Sequence, residues 1–208
     1  FAPPPPFTNQ DEGVLGRALS APLSILWDIT YACNLRCPHC LTGSGKAAAD
    51  ELNREEALAI LERLSQMRIF SITFCGWEPV LCPHLFEVIQ AAVSRGMEVN
   101  LDTNGLLVNE KLADKLAAVG ITAVQVSLDG TEETHDSFRG RKGSFAAAVR
   151  TVRLMVSRGF RVSVAPVLTS VTHQDLEYVV NLAADLGASG LKPSLFLPTG
   201  RGREHDQG

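Results

Sequence analysis

The sequence has no long apolar run. None of its 208 residues belongs to an uninterrupted hydrophobic stretch near the ~20 residues a membrane span needs. It has no basic excess either: 19 Lys and Arg against 23 Asp and Glu leave a formal charge of −4, which excludes nucleic acid or an anionic membrane surface as the main expected partner. Phe1 leads into Pro3–Pro6 rather than into a charged and then apolar segment, so no secretory signal is expected and the chain reads as cytoplasmic. Cysteine is scarce and unevenly spent. There are five, none after Cys82, and Cys33, Cys37 and Cys40 fall within eight residues. An odd, clustered set without a secretory signal points to metal ligation rather than a disulfide framework.

What is present is an ordinary globular composition, 45% hydrophobic and 20% charged, long enough for one domain with a sizeable core. The four consecutive prolines make residues 1–21 a lead-in that forms neither helix nor ladder. After it, β-rich runs recur at Leu23–Thr30, Ile69–Cys75, Met97–Thr103, Thr122–Leu128, Phe160–Leu168 and Gly190–Leu197. Segments of helical periodicity separate them. Asn53 with Glu56 forms a capping box ahead of an apolar face of Ala57, Leu58, Leu61, Leu64 and Met67. Further helices are expected at His84–Arg95, Asn109–Val119, Ser144–Arg158 and His173–Leu186, each followed by a glycine (96, 120, 159, 187) suited to a left-handed cap. Alternating strand and helix means parallel strands with right-handed crossovers, as an open doubly wound sheet or a partial α/β barrel. Either places chemistry at the C-terminal strand ends. Polar, glycine-rich segments do follow the first four strands: Cys33 onward, Gly76-Trp77-Glu78-Pro79, Thr103-Asn104-Gly105 and Ser127-Leu128-Asp129-Gly130.

Cys33-Asn34-Leu35-Arg36-Cys37-Pro38-His39-Cys40 is the strongest signal. Three thiolates spaced by four and three can curl around one metal centre from a single loop. A cubane iron–sulfur cluster has four irons, so three ligands leave one open to chelate a cofactor or substrate. A structural zinc site would want four ligands, and an electron-transfer ferredoxin a fourth cysteine nearby.

CxxxCxxC after the first strand of an α/β barrel resembles the signature of the radical S-adenosylmethionine (SAM) superfamily, over roughly residues 22–200. The resemblance implies a partial (βα)6 barrel with a 4Fe-4S cluster on Cys33, Cys37 and Cys40. It also implies reductive cleavage of SAM to a 5′-deoxyadenosyl radical that takes hydrogen from a substrate. Thr73-Phe74-Cys75-Gly76-Trp77-Glu78-Pro79 is similar to the family's GGEP segment, which holds the methionine ammonium of SAM. On that basis Gly76, Trp77 and Glu78 are expected at the cofactor, Glu78 as an acceptor for the amine. Trp77 departs from the pattern, standing where the family has its second glycine, a residue suited to positive φ or close ligand approach. Ser127 matches a serine that contacts the methionine portion, and Arg139 resembles an arginine that meets the SAM carboxylate. His39 matches a position near the adenine, and Thr103 and Asn104 could line the same pocket. Catalytic residues toward the substrate are not assigned. Cys75 and Cys82 read first as small buried hydrophobes.

Tyr31-Ala32-Cys33-Asn34-Leu35, Gln125–Gly130, Arg139-Gly140 and Pro198-Thr199-Gly200-Arg201-Gly202 resemble the peptide-modifying, SPASM-type maturase branch, nearest the mycofactocin maturases. That implies a peptide or protein substrate, a separate peptide-recognition protein, and a reductase or flavodoxin-type electron donor. Small-molecule members of haem and cofactor pathways stay open as an alternative, as does a degenerate cluster protein without SAM cleavage. The auxiliary Cys-rich domain of that branch is not expected in this chain, since no cysteine follows Cys82; residues 201–208 read as a tail.

Overall fold

The computed structural model describes residues 21–43 and 45–205, so most of the Pro-rich lead-in expected at 1–21 lies outside the described residues. Five strands form the body of one sheet: β1 (Ser24–Asp28), β2 (Ser71–Cys75), β3 (Glu98–Thr103), β4 (Ala123–Ser127) and β5 (Arg161–Ala165). They lie side by side in chain order and every pairing is parallel. Consecutive order means that each right-handed crossover advances in the same direction. The helices α1 (Arg54–Gln66), α2 (Leu85–Ser94), α3 (Glu110–Ala118), α5 (Ser144–Ser157) and α6 (Leu176–Asp185) therefore share one face, as in a partial α/β barrel. A doubly wound sheet would reverse its order part-way.

The strand sequences explain why the two faces differ. Parallel strands covered on both sides read as continuous apolar runs. Here they alternate. Ile72 and Phe74, Val99 and Leu101, Val124 and Val126, and Val162 and Val164 are fully buried in the core beneath the helices. The residues between them, Thr73, Cys75, Asn100, Asp102, Gln125, Ser127 and Ser163, are half-buried on the other, polar face. A six-residue alternation buries one side of β3 and leaves Asn100 and Asp102 facing the barrel interior.

The capping box forms as expected, with Asn53 accepting from the Glu56 amide and Glu56 accepting from Asn53. Ala57 and Leu61 are its buried pair, whereas Met67 becomes the exposed C-cap rather than part of the apolar face. All four cap glycines adopt positive φ. Two expected strands are cut short by proline, which cannot donate to a ladder. Pro166 separates β5 from β6 (Val167–Leu168), and Pro193 separates β7 (Gly190–Leu191) from β8 (Ser194–Leu195). β7 extends the main sheet beside β5, while β6 and β8 pair on their own. One helix was not expected at all: α4 (Glu132–Arg139), N-capped by Thr131 and ended by Gly140 at φ +65.

Candidate active site

The C-terminal ends of β1–β4 open into one cavity of about 470 Å3. Cys33, Cys37, Cys40, His39, Gly76, Trp77, Ser127 and Arg139 all line it. So do Asp28, Cys75, Asp102, Thr103 and Asn104 from the strand ends, and Val167 and Leu195–Leu197 from the small sheet.

The cysteine loop is shaped by its backbone. The Glu51 carboxylate accepts from the Tyr31 amide at 2.6 Å, the Ala48 amide at 2.9 Å and the Thr30 hydroxyl at 3.0 Å. A bridge from Ala32 to Gly45 and a bond from the Cys33 amide to the Gly45 carbonyl (3.1 Å) close the loop on itself. Cys33 Sγ accepts from the Leu35 amide at 3.4 Å, and Asn104 Nδ2 lies 4.0 Å from the same sulfur. Burial raises the pKa of the Cys33 thiol, and it raises that of Cys37 against the opposing pull of the Arg139 guanidinium, which hydrogen-bonds Cys37. Among the described residues no three His, Cys, Asp or Glu side chains converge on a single-ion site. The thiols line the cavity wall instead.

The Gly76-Trp77 turn settles next to this loop. Gly76 has φ +99, and a Cβ there would sit 3.0 Å from the Thr30 carbonyl oxygen and 3.2 Å from Asp28 Cα, so only glycine fits. Trp77 does not share that constraint. Arg68 is the one non-glycine residue at positive φ among the described residues. The indole stacks on Tyr31 with ring centroids 4.2 Å apart and donates its N–H to the Thr42 hydroxyl. The departure from the GGEP pattern thus adds a wall to the cavity without straining the turn.

Glu78 differs from expectation. It is wholly buried and does not line the cavity. One carboxylate oxygen accepts from the Thr103 hydroxyl and the other from the Asn104 amide, both at 2.9 Å. Burial pushes its pKa up to about 7 despite these bonds. Its direct partner is therefore the end of β3, and Asn104 in turn donates to Asn34 Oδ1 at 2.8 Å, beside Cys33.

Arg139 is also more engaged than expected. Its Nε and Nη2 donate to Asp129 Oδ2 and Oδ1 at 2.6 and 3.1 Å, a bidentate pair in which Asp129 has no exposed surface. Asp129 further accepts from the Val167 amide at 2.9 Å, and its own amide donates to His135 Nδ1 at 3.1 Å. Burial alone would raise the Asp129 pKa, but Arg139 and His135 together hold it well below the usual carboxylate range. His39 stacks face to face on Phe138, centroids 3.6 Å apart, with burial and then the Arg139 charge pushing its pKa down to about 3. It is a neutral ring at neutral pH. Asp129 and His135 were not foreseen. Their sign was the pattern around them, a Thr131 cap, acidic Glu132 and Glu133 in the first turn, and Gly140 after Arg139.

Cys75 is half-buried rather than a core hydrophobe. Its thiol donates to Asp28 Oδ1 at 3.3 Å, and burial followed by that carboxylate pushes its pKa up to about 12. Asp102 accepts from Gln125 Nε2 at 3.2 Å and is raised to about 6 by burial, against the charge of Lys192. Cys82 is buried in the core, as expected.

The radical SAM superfamily profile matches residues 27–183. The chain belongs to the radical SAM superfamily. The cofactors of that superfamily are a 4Fe-4S cluster and SAM. The mycofactocin maturase MftC of Mycobacterium tuberculosis (strain ATCC 25618 / H37Rv) is 37% identical over 190 residues, 90% of this chain and 48% of that protein. An AdoMet-dependent heme synthase of Methanosarcina barkeri is 32% identical over 190 residues, again 90% of this chain and 54% of that one. The chain spans about half the length of the curated relatives it matches. Streptococcus suis SuiB bound to its precursor peptide SuiA superposes with TM-score 0.76 at 14% identity, over 86% of this chain and 40% of SuiB. Native anSMEcpe with bound AdoMet does so with TM-score 0.72 at 24% identity, over 85% of this chain and 52% of that one. These two likenesses establish the fold.

Proposed function

We propose that this radical SAM chain is the catalytic core of a peptide- or protein-modifying oxidoreductase, with its cluster on Cys33, Cys37 and Cys40. The observation that carries the reading is that all three thiols line a cavity that also gathers Gly76 from the end of β2, Ser127 from the end of β4 and Arg139 from the end of α4. Soft thiolate donors suit iron–sulfur ligation. A 4Fe-4S cluster held by these three thiolates would supply the electron for reductive cleavage of SAM, and through it hydrogen abstraction from a substrate.

The protein residues prepare that chemistry. Gly76, lacking a side chain, lets the turn lie close to Thr30 and leaves backbone facing the cavity for the amine of SAM. Ser127 offers a hydroxyl at the end of β4. Arg139, braced by Asp129, sets a fixed cation beside Cys37, where it offsets thiolate charge and can meet a carboxylate. Neutral His39, flat on Phe138, gives the cavity a planar wall suited to an adenine. Trp77, Leu195 and Phe196 add apolar surface to the cavity lining.

Similarity to the mycofactocin maturases, with the likeness of the fold to a peptide-bound enzyme, favours a ribosomal peptide as substrate. A separate recognition protein and a flavodoxin-type reductase complete the system in this reading. Similarity to a haem synthase supports the second reading, a small-molecule substrate. The test is spectroscopic: SAM added to the reduced, reconstituted chain should change the electron paramagnetic resonance spectrum of the cluster. A cluster whose spectrum ignores SAM would identify a degenerate electron carrier instead.

A further inference from the structure

We infer that the segment Pro198–Gly202 is a clasp on the cysteine loop, and that Arg201 is a positioning residue for the cluster that also tunes its reduction. The inference rests on the cluster assignment above.

The clasp is made of several independent contacts. The Thr199 hydroxyl donates to the Leu41 carbonyl, the Arg201 amide to the Cys40 carbonyl, and Arg201 Nε to the Cys37 carbonyl, each at 3.0 Å. The Cys37 carbonyl already accepts from the Cys40 amide at 3.2 Å, so Arg201 completes a knot that joins two of the three cysteines. Contact is close enough to dictate residue type. At Gly200, φ is +55, and a Cβ would fall 2.5 Å from the Leu41 carbonyl and 2.6 Å from that of Cys40. Backbone cannot yield as a flexible side chain can. Gly202 is likewise crowded, with a Cβ placed 2.8 Å from the Phe196 ring. The Gly-Arg-Gly sequence, which opens a 3-10 turn beyond β8, thus brings that segment close onto the loop about 160 residues earlier in the chain.

Arg201 also lines the cavity. Its guanidinium and that of Arg139 reach the cysteine loop from different elements, Arg139 through the Cys37 sulfur and Arg201 through the Cys37 carbonyl. A cluster on three thiolates gains one negative charge on reduction. A fixed cation at the cavity wall stabilises the reduced form, and the surrounding charge and hydrogen bonds are what set cluster potentials.

The test uses the 208-residue chain reconstituted with iron and sulfide, comparing wild type with Arg201→Gln, Arg201→Lys and Gly200→Ala. The readouts are iron release to a chelator, midpoint potential, and circular dichroism of the metal-free chains to confirm folding. Loss of a charge-assisted bond to the loop should speed iron release about tenfold in Arg201→Gln. Gly200→Ala should speed it at least as much, through displacement of the clasp. Arg201→Gln should also shift the midpoint potential to a more negative value, and Arg201→Lys should restore it, which a merely structural role would not do. Wild-type release rates in both Arg201→Gln and Gly200→Ala would overturn the clasp, and an unchanged potential in Arg201→Gln would overturn the tuning. A wild-type chain that takes up no four-iron cluster would instead overturn the underlying assignment.

Discussion

Asp129→Asn tests whether the buried Asp129–Arg139 pair organises the site. The wild-type carboxylate accepts from Arg139 Nε, Arg139 Nη2 and the Val167 amide, at 2.6, 3.1 and 2.9 Å. The amide variant keeps the shape but leaves the Arg139 charge without its counter-ion in a nearly buried position. Breaking one half of a buried ion pair costs about 3–5 kcal/mol, because the remaining charge stays desolvated. For a chain of this size that is a fall in Tm of order 10 °C. The pH sign also follows. A carboxyl held below its ordinary value stabilises the fold fully above that value and loses the contribution only as pH falls through its folded-state value, so the loss should be undiminished at neutral pH. The assay is thermal and urea unfolding of the metal-free chain, for Asp129→Asn, Arg139→Met and the double variant. Removing both charges should cost less than the sum of the single losses by more than about 1 kcal/mol. A single variant within about 0.5 kcal/mol of wild type, or strict additivity, would refute the reasoning.

Glu78→Gln should weaken the pH dependence of stability. The wild-type carboxyl rises to about 7 on folding, so the folded chain holds a proton that the unfolded chain releases, and its contribution to stability should decline by about 3 kcal/mol from pH 4.5 to pH 7; urea titrations across that range should show a shallower slope in the variant, with the decline that Asp102, raised to about 6, contributes left in place. Trp77→Gly removes the stack on Tyr31 and the bond to Thr42, so it should lower stability by about 1–2 kcal/mol without improving SAM binding, read by isothermal titration. Gly76→Ala should be worse for SAM than Trp77→Gly, because its Cβ meets the Thr30 carbonyl and the positive φ is strained. Cys75→Ser should leave iron content unchanged, unlike Ala at Cys33, Cys37 or Cys40, by colorimetric iron assay.

The features readable in advance were those written as local signals. The β-rich run at Met97–Thr103 marked the strand found at Glu98–Thr103, and Asn53 with Glu56 marked the start of α1. The spacing of Cys33, Cys37 and Cys40 singled out one loop, and all three cysteines line the cavity. Helix α4 escaped because it has no apolar stripe: buried His135 and Arg139 face the site, and its sequence is mostly polar. Its cap signals were present but lacked the periodicity that normally supports them. Glu78 was assigned to the cofactor through its place in the segment similar to GGEP; which way it points depends on donors 25 and 26 residues later, Thr103 and Asn104. The Asp129–Arg139 pair and the Arg201 clasp are likewise long-range arrangements, set by how the β4 and β8 ends fold back on the cysteine loop. Trp77 is the converse case. An apparent violation of a glycine pattern needed only the knowledge that its φ is not positive.

The most direct measurement is 5′-deoxyadenosine formation by the anaerobically reconstituted and reduced chain supplied with SAM. The account predicts product that requires reductant and disappears in Cys37→Ala. A chain that carries a four-iron cluster, binds SAM and yet forms no 5′-deoxyadenosine would contradict it.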